Sequence, residues 1–465
     1  MTIQGEEWRS MDTTTGLYDA AAHEEALSRA RAGIAEHRQR DVALRLTRRD
    51  GTPVSGLAVE VALKRHAFPF GDQLWQLDRL HRFGEHETDR GFYWRRRFAD
   101  IFNAANALCY WTERPENDGP KTEDVQGRNV TEHFAYCVDW ANSQGLTVKG
   151  HPLFWSIDKC VPEWVKRYDY ETQMKFAEVR VRDLVARFKD RVCIWDAVNE
   201  ALWEPSFRHL PQRHWPHIEP IPELADYIER VLTWVREENP DATYLLNDYG
   251  TESDPPDGPR RQADGTPVTA AMQRQRYMSL VKELRQRGTP PDAIGLQFHT
   301  GGWMSHAAQM ALFDSYAAVD VPIHITEFWA STRHLKSRDR LFPDEIDAMQ
   351  ADYVVNTLTC AFGHPAVEAF FFWGFLGHAI DWNERSSHHL KDIYHRVRQL
   401  IQETWSTREK LTTDEDGQVR FRGFYGDYAL RYPITGRAGT GAEHGVAFNV
   451  NRAQGMPLTL TVPFA

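Results

Sequence analysis

Arg191-Val-Cys-Ile-Trp-Asp-Ala-Val-Asn-Glu200 is a mostly apolar run that stops abruptly on an amide and a carboxylic acid. A short apolar run of this kind reads as a buried strand. It therefore delivers Asn199 and Glu200 at its C-terminal end. Val321-Pro-Ile-His-Ile-Thr-Glu327 repeats the design with a second carboxylate. In barrels of parallel strands that end carries the chemistry, because its loops vary while the strands stay rigid. Two acids on two strand ends suggest paired-carboxylate catalysis.

The same rhythm runs through the middle of the chain. Phe68-Pro-Phe-Gly-Asp-Gln73, Ile101-Phe-Asn-Ala-Ala-Asn106, Val148-Lys-Gly-His151, Tyr244-Leu-Leu-Asn-Asp-Tyr249, Ile294-Gly-Leu-Gln-Phe-His299 and Ala369-Phe-Phe-Phe-Trp-Gly374 are further short apolar segments ending in polar or small residues. With the two already quoted they make eight. Stretches of helical period lie between them, at 129–144, 170–189, 221–238, 270–287, 307–320 and 343–362, and 391–404 reads as a closing helix. Strand and helix alternating eight times predict an α/β fold, the (β/α)8 TIM barrel. An open doubly wound sheet would offer a glycine-rich turn after its first strand, and Phe70-Gly-Asp-Gln-Leu-Trp75 has one glycine.

The ends have another period. Residues 1–65 read as an exposed helix followed by two alternating runs, Val42-Ala-Leu-Arg-Leu-Thr47 and Leu57-Ala-Val-Glu-Val-Ala-Leu63, joined through Asp50-Gly51 as a β-hairpin. Residues 66–405 are the catalytic barrel, and 406–465 hold further alternating strands expected to pack with the N-terminal segment into one small accessory sheet. Glu252 to Gly265 reads as a long loop near the barrel mouth.

At 465 residues with 42% hydrophobic side chains, the chain can bury a large core. A net charge of -11 with both signs dispersed argues against a nucleic-acid partner, which needs a basic face. Five cysteines without tight spacing describe buried thiols rather than a disulfide framework. The N-terminal stretch has no basic start and apolar segment, and no run is long enough for a bilayer, so a cytoplasmic protein away from membranes is expected. Oligomeric state is not readable. The 16 tryptophans include several near strand ends, where flat faces suit pyranose rings.

Hydrolysis of an acetal needs one acid to protonate the leaving oxygen and a second carboxylate as nucleophile or base. Glu200 and Glu327, on strands four and seven, can face each other across a barrel mouth. Asn199 sets an amide donor beside the first acid, and His299, ending strand six, can orient the second. His151 and Trp155 follow strand three, and Trp373 and Trp382 follow strand eight. Tyr110, Tyr249, Gln297 and Trp329 complete the expected binding set.

Together, Gly150-His-Pro-Leu-Phe-Trp155, Trp195-Asp-Ala-Val-Asn-Glu200, Asn247-Asp-Tyr249, Ile294 to His299, Ile325-Thr-Glu327 and Trp373-Gly-Phe375 resemble glycoside hydrolase family 10, the xylanase family. The resemblance runs over about residues 66 to 385, and Arg40-Asp-Val-Ala-Leu44 and Gly423-Phe-Tyr-Gly-Asp-Tyr428 resemble the outer segments of some members. It implies a retaining double displacement with Glu327 as nucleophile and Glu200 as acid and then base. Asn199 would bind the 2-hydroxyl, and His151, Trp155, Gln297, His299 and Trp373 would shape the subsite at the cleaved bond. Retention implies carboxyl groups about 5 to 5.5 Å apart, with the pKa of Glu200 raised while Glu327 is ionised.

This chain departs from the family on strand two, where Phe102-Asn-Ala-Ala-Asn-Ala-Leu-Cys-Tyr-Trp111 lacks the Glu-Asn pair and following Lys-Trp that grip the glycone sugars. After the nucleophile, Phe328-Trp329 replaces Leu-Asp. These changes point to short oligosaccharides or small glycosides as the carbohydrate partner, with polymeric xylan as the alternative substrate. A non-catalytic carbohydrate-binding barrel is the reading from another class. A metal-dependent barrel hydrolase, prompted by 20 histidines, would need His-x-His near strand one, where Gly71-Asp-Gln73 stands, so no metal and no other cofactor is expected.

Overall fold

The computed structural model describes residues 19–113, 119–204, 207–209, 215–255, 257–300, 303–336, 342–381, 389–433 and 443–462. Eight parallel strands close into a barrel: Phe70–Gln73, Ala104–Leu108, Thr147–His151, Ile194–Asn199, Thr243–Asp248, Ala293–Leu296, Ile323–Phe328 and Val367–Phe372. Each pairs with its neighbours in chain order, and the last pairs with the first through Phe370 opposite Phe70. All eight segments expected from the sequence are strands, within a few residues at each end.

The alternation of the strands sorts their side chains. Ala104, Ala369 and Phe371 pack inside the barrel, while Ala105, Ala107, Phe370 and Phe372 face the helices. Trp195 also faces outward, fully buried. A Cβ at Gly150, on the neighbouring strand, would lie 2.2 Å from its ring, so that position admits no side chain. Helices Tyr170–Phe188, Ile221–Glu238, Ala270–Gln286 and Pro343–Gly363 cover the barrel. Asp169 and Thr269 cap two of them, each side chain accepting a first-turn amide.

The terminal strands correct the expected hairpin. Gln39–Thr47 and Ala58–His66 do not pair with each other. The first lies between Gln418–Phe424 and Leu458–Thr461, and the second between Arg408–Thr412 and Gly426–Pro433. Two small sheets therefore replace the single one expected. Each strand has one apolar face, and Val42, Leu44 and Leu46 bury theirs against Val59, Val61, Tyr428 and Leu430. A chain with two such strands removes more apolar surface from water by stacking them face to face than by laying them side by side. The Asp50-Gly51 turn exists, with Thr52 N donating to Asp50 Oδ1 at 2.9 Å, but the chain then crosses to the second sheet.

No helix of the described residues is long and apolar enough to cross a membrane. Cys109, Cys137, Cys160 and Cys360 are buried free thiols, and Cys193 is an exposed one.

Candidate active site

Glu200 stands where strand four breaks. Its φ of 58° is in the left-handed region, uncommon for a residue with a side chain. Its amide donates to Asn247 O at 2.7 Å on strand five, and its carbonyl accepts the amides of Trp203 and Glu204 at 3.0 and 2.7 Å. The turn is thus held on both sides, and the carboxyl projects into the mouth. Phe298 makes a similar break after strand six, at φ 60°. Its ring is fully buried while its neighbours Gln297 and His299 line the cleft.

A chain of amides joins the two acids. Asn247 Nδ2 donates to Glu327 Oε1 and to Asn199 Oδ1, both at 2.8 Å. Gln297 Nε2 reaches the same Asn199 oxygen at 3.4 Å and Glu200 Oε1 at 3.1 Å. The orientation of Asn247 is set by the Thr326 hydroxyl, which donates to its Oδ1 at 2.5 Å. Gly295 leaves room for that oxygen, since a Cβ there would approach it to 2.4 Å. Asn199 Nδ2 and Gln297 Oε1, both buried, have no hydrogen-bond partner among the described residues. A buried amide group without a partner costs about 1–3 kcal/mol, which a substrate hydroxyl would recover.

The two acids sit in different fields. Burial pushes the Glu200 pKa up, the charge of Glu327 pushes it further, and it stands at about 7 despite hydrogen bonds from Gln297 and from Trp155 Nε1, the latter 2.8 Å from Oε2. Burial would raise Glu327 as well. The imidazoles of His151 and His299 and the more distant Lys149 outweigh it and hold Glu327 below the ordinary glutamate value. His299 Nε2 lies 3.0 Å from Glu327 Oε2, and His151 Nε2 lies 3.8 Å from Oε1. His151 is itself fixed from below by Asp196 Oδ2 at 2.6 Å, and the same oxygen meets Lys149 Nζ at 2.6 Å. One acid is kept protonated near neutrality and the other ionised. That division of roles is what acid-assisted displacement at an acetal needs.

Most residues expected from the sequence meet in one cavity of about 530 Å³, lined among others by Tyr110, His151, Trp155, Glu200, Tyr249, Gln297, His299, Glu327 and Trp373. Asn199 lies beneath it, in the amide chain. Trp373 is positioned by Asp72, whose Oδ1 accepts the amides of Gly374 and Phe375 at 2.9 and 3.1 Å, tying the end of strand eight to strand one. Trp329 does not line the cavity; it stacks on His378 at 4.0 Å. The strand ends at Phe328, so its alternation does not extend to Trp329. Trp382 lies outside the described residues.

Other residues enter that the sequence did not single out. Asn247 and Asp196 lie inside recognised segments, but their bridging roles depend on which strands are neighbours. Trp75, Trp203, Trp215, Lys159 and Arg260 also line the cavity. Trp203 stacks between Tyr249 at 5.3 Å and Trp215 at 6.0 Å, and its place three residues past Glu200 was the available signal. The expected long loop does border the mouth, through Ser253, Asp254, Pro255 and Arg260.

The comparisons agree with this architecture. Residues 115–395 match the model of glycosyl hydrolase family 10. Among curated proteins, the Acetivibrio thermocellus protein named anti-sigma-I factor RsgI6 is 26% identical over 94% of this chain and 50% of its own length. Endo-1,4-beta-xylanase 2 of Arabidopsis thaliana is 24% identical over 84% of this chain and 32% of its own length. The chain therefore spans half or less of these relatives. Of solved structures, xylanase 10B from Thermotoga petrophila in complex with xylobiose superposes with a TM-score of 0.52 at 20% identity, over 73% of this chain and 95% of that one. A GH10 endoxylanase from a sugarcane soil metagenome gives 0.53 at 18% identity, over 72% and 96%. The solved structures carry the likeness of fold, the family model covers more than half of the chain, and with the strand ends described above they place this chain in glycosyl hydrolase family 10.

Proposed function

We propose that this chain is a retaining β-glycoside hydrolase acting on β-1,4-xylosidic or related β-glycosidic bonds in short oligosaccharides or small glycosides. The observation that carries the reading is that two strand-end acids, Glu200 and Glu327, line one cavity and are joined by the amides of Asn247, Asn199 and Gln297, in surroundings that push the pKa of Glu200 up and that of Glu327 down. Glu327 attacks the anomeric carbon while Glu200 protonates the departing oxygen. The glycosyl ester bond to Glu327 forms as the bond to the leaving group breaks. Glu200, now ionised, takes a proton from water, the water oxygen attacks the anomeric carbon, and Glu327 leaves. Asn199 Nδ2 donates to the 2-hydroxyl oxygen of the sugar and leaves that hydroxyl's proton to the Glu327 carboxylate, a contact that strengthens as positive charge develops at the neighbouring carbon.

A panel of aryl β-xylosides, aryl β-glucosides, xylo-oligosaccharides and xylan tests the reading, with Glu327→Gln as control. Turnover of small members that the control lacks supports it, and preference for xylan would favour a polymer-cleaving enzyme, as the name of the Arabidopsis relative, an endo-1,4-beta-xylanase, does. The second reading is a barrel that binds carbohydrate without cleaving it. Wild-type turnover no greater than that of Glu327→Gln on every member would support that second reading.

A further inference from the structure

Strand six leaves the barrel through a strained turn. Phe298, at φ 60°, is in the left-handed region that a residue with a side chain seldom enters. The residues flanking it serve different acids: Gln297 Nε2 reaches Glu200 Oε1 at 3.1 Å, and His299 Nε2 lies 3.0 Å from Glu327 Oε2. An extended residue at 298 would send the chain, and His299 with it, in another direction. Whatever holds this one backbone conformation therefore sets both contacts.

The holding group is a buried carboxyl from the loop after strand five. Glu252, 2% exposed, accepts the Phe298 amide on Oε1 at 2.9 Å and the Thr251 amide on Oε2 at 3.0 Å. Its own backbone is fixed in turn. Arg274, on helix Ala270–Gln286, donates from Nε to Thr251 O and from Nη2 to Glu252 O, both at 3.1 Å. The next residues, Ser253, Asp254 and Pro255, line the cavity, whereas Glu252 does not and reaches to strand six. The titratable and charged groups around its carboxyl are His299, Asp248 on strand five, Tyr316 on helix His306–Ala317, and Arg274. Burial raises the pKa of Glu252, and the amides it accepts oppose the rise.

We propose that Glu252 is a positioning residue for the hydrolysis: by holding the turn at Phe298 it sets Gln297 against Glu200 and His299 against Glu327, and so tunes both acids from outside the cavity. This rests on the reading of Glu200 and Glu327 as acid and nucleophile. The hydrogen bond from Gln297 lowers the pKa of Glu200, and the bond and charge of His299 lower that of Glu327. Loosening the turn therefore raises both.

Glu252→Ala removes the acceptor, Glu252→Asp draws it back by one methylene, and Glu252→Gln keeps an oxygen for the Phe298 amide. With 4-nitrophenyl β-xylobioside, Glu252→Ala should lower kcat about 100-fold, the cost of misplacement by about 1 Å. Both limbs of its pH profile should move to higher pH, and Glu252→Asp should move them the same way. Glu252→Gln should recover all but about tenfold, since the contact with Phe298 is kept and the one with Thr251 is lost. A merely structural residue would change the amount of active protein and leave both limbs in place. Carbon-13 NMR of labelled glutamate reads the pKa values of Glu200 and Glu327 without turnover. Unmoved values in a folded Glu252→Ala would overturn the proposal, as would a loss in Glu252→Gln as large as that in Glu252→Ala. Should Glu252→Ala fail to fold, Glu252→Asp decides on the same two values. Absence of turnover by the wild type would remove the hydrolase reading, while the NMR values would still decide whether Glu252 sets the two acids.

Discussion

The ends of strands four to seven and the ends of strands one and two lie in one barrel mouth but are built from different chemistry. The first region is a continuous hydrogen-bonded chain, Glu327 to Asn247 to Asn199 to Gln297 to Glu200. The second is aromatic, with Tyr110 and Trp75 at the surface of the cavity. Asn106 is buried below them, its amide without a hydrogen-bond partner among the described residues. Under the proposed function the first region would break the bond and the second would meet the rest of the substrate.

The largest effect tests the first region. Glu327→Gln should lower kcat by at least about 10⁴-fold, the scale on which removal of a nucleophile is felt. The same change removes the like charge beside Glu200, so the pKa of that acid should fall from about 7. Because burial is the larger cause of the rise, the fall should be partial. Carbon-13 NMR of labelled glutamate measures it, and an unchanged value would break the coupling of the two acids.

Glu200→Ala should cost about 10²–10⁴-fold on substrates with poor leaving groups and far less on dinitrophenyl glycosides. Equal losses on both would contradict its role as acid. The pH profile follows from the same pair. Glu200 must be protonated, so kcat/KM should fall as pH rises through about 7, and Glu327 must be ionised, so it should fall again only below the ordinary glutamate value. Loss of the alkaline limb in Glu200→Ala with a dinitrophenyl substrate would identify its owner.

Asn199→Ala should cost about 10²-fold with an ordinary glycoside, the loss typical of one positioned donor, and almost nothing further with a 2-deoxy substrate. The smallest effect lies outside both regions. Tyr428→Phe in the terminal sandwich removes a hydroxyl that donates to Phe424 O at 2.6 Å and lies 3.1 Å from Thr407 Oγ1. It should lower stability by about 1 kcal/mol in denaturant melts and leave kcat unchanged.

How much of this could be read beforehand depends on what sets each feature. The barrel strands and both acids were legible because apolar runs ended in polar groups, a pattern local to each run. Strand partners were less so. Alternation in Gln39–Thr47 and Ala58–His66 shows that each has an apolar face, and it does not say whether they lie side by side or face to face. Trp329 was expected in the cleft because Phe328-Trp329 stands where the family carries Leu-Asp, but the strand ends at Phe328 and Trp329 stacks on His378. The loss of polar grip on strand two was visible in the sequence. What fills the space was not, since Trp75 reaches Tyr110 from another strand end.

The central claim is that Glu327 attacks and Glu200 assists from the opposite side of one bond. Proton NMR of the first product formed from an aryl β-glycoside tests it most directly. The β-anomer appearing first, followed by slow mutarotation, is the predicted result. The α-anomer appearing first would contradict the double displacement and the roles given to both glutamates.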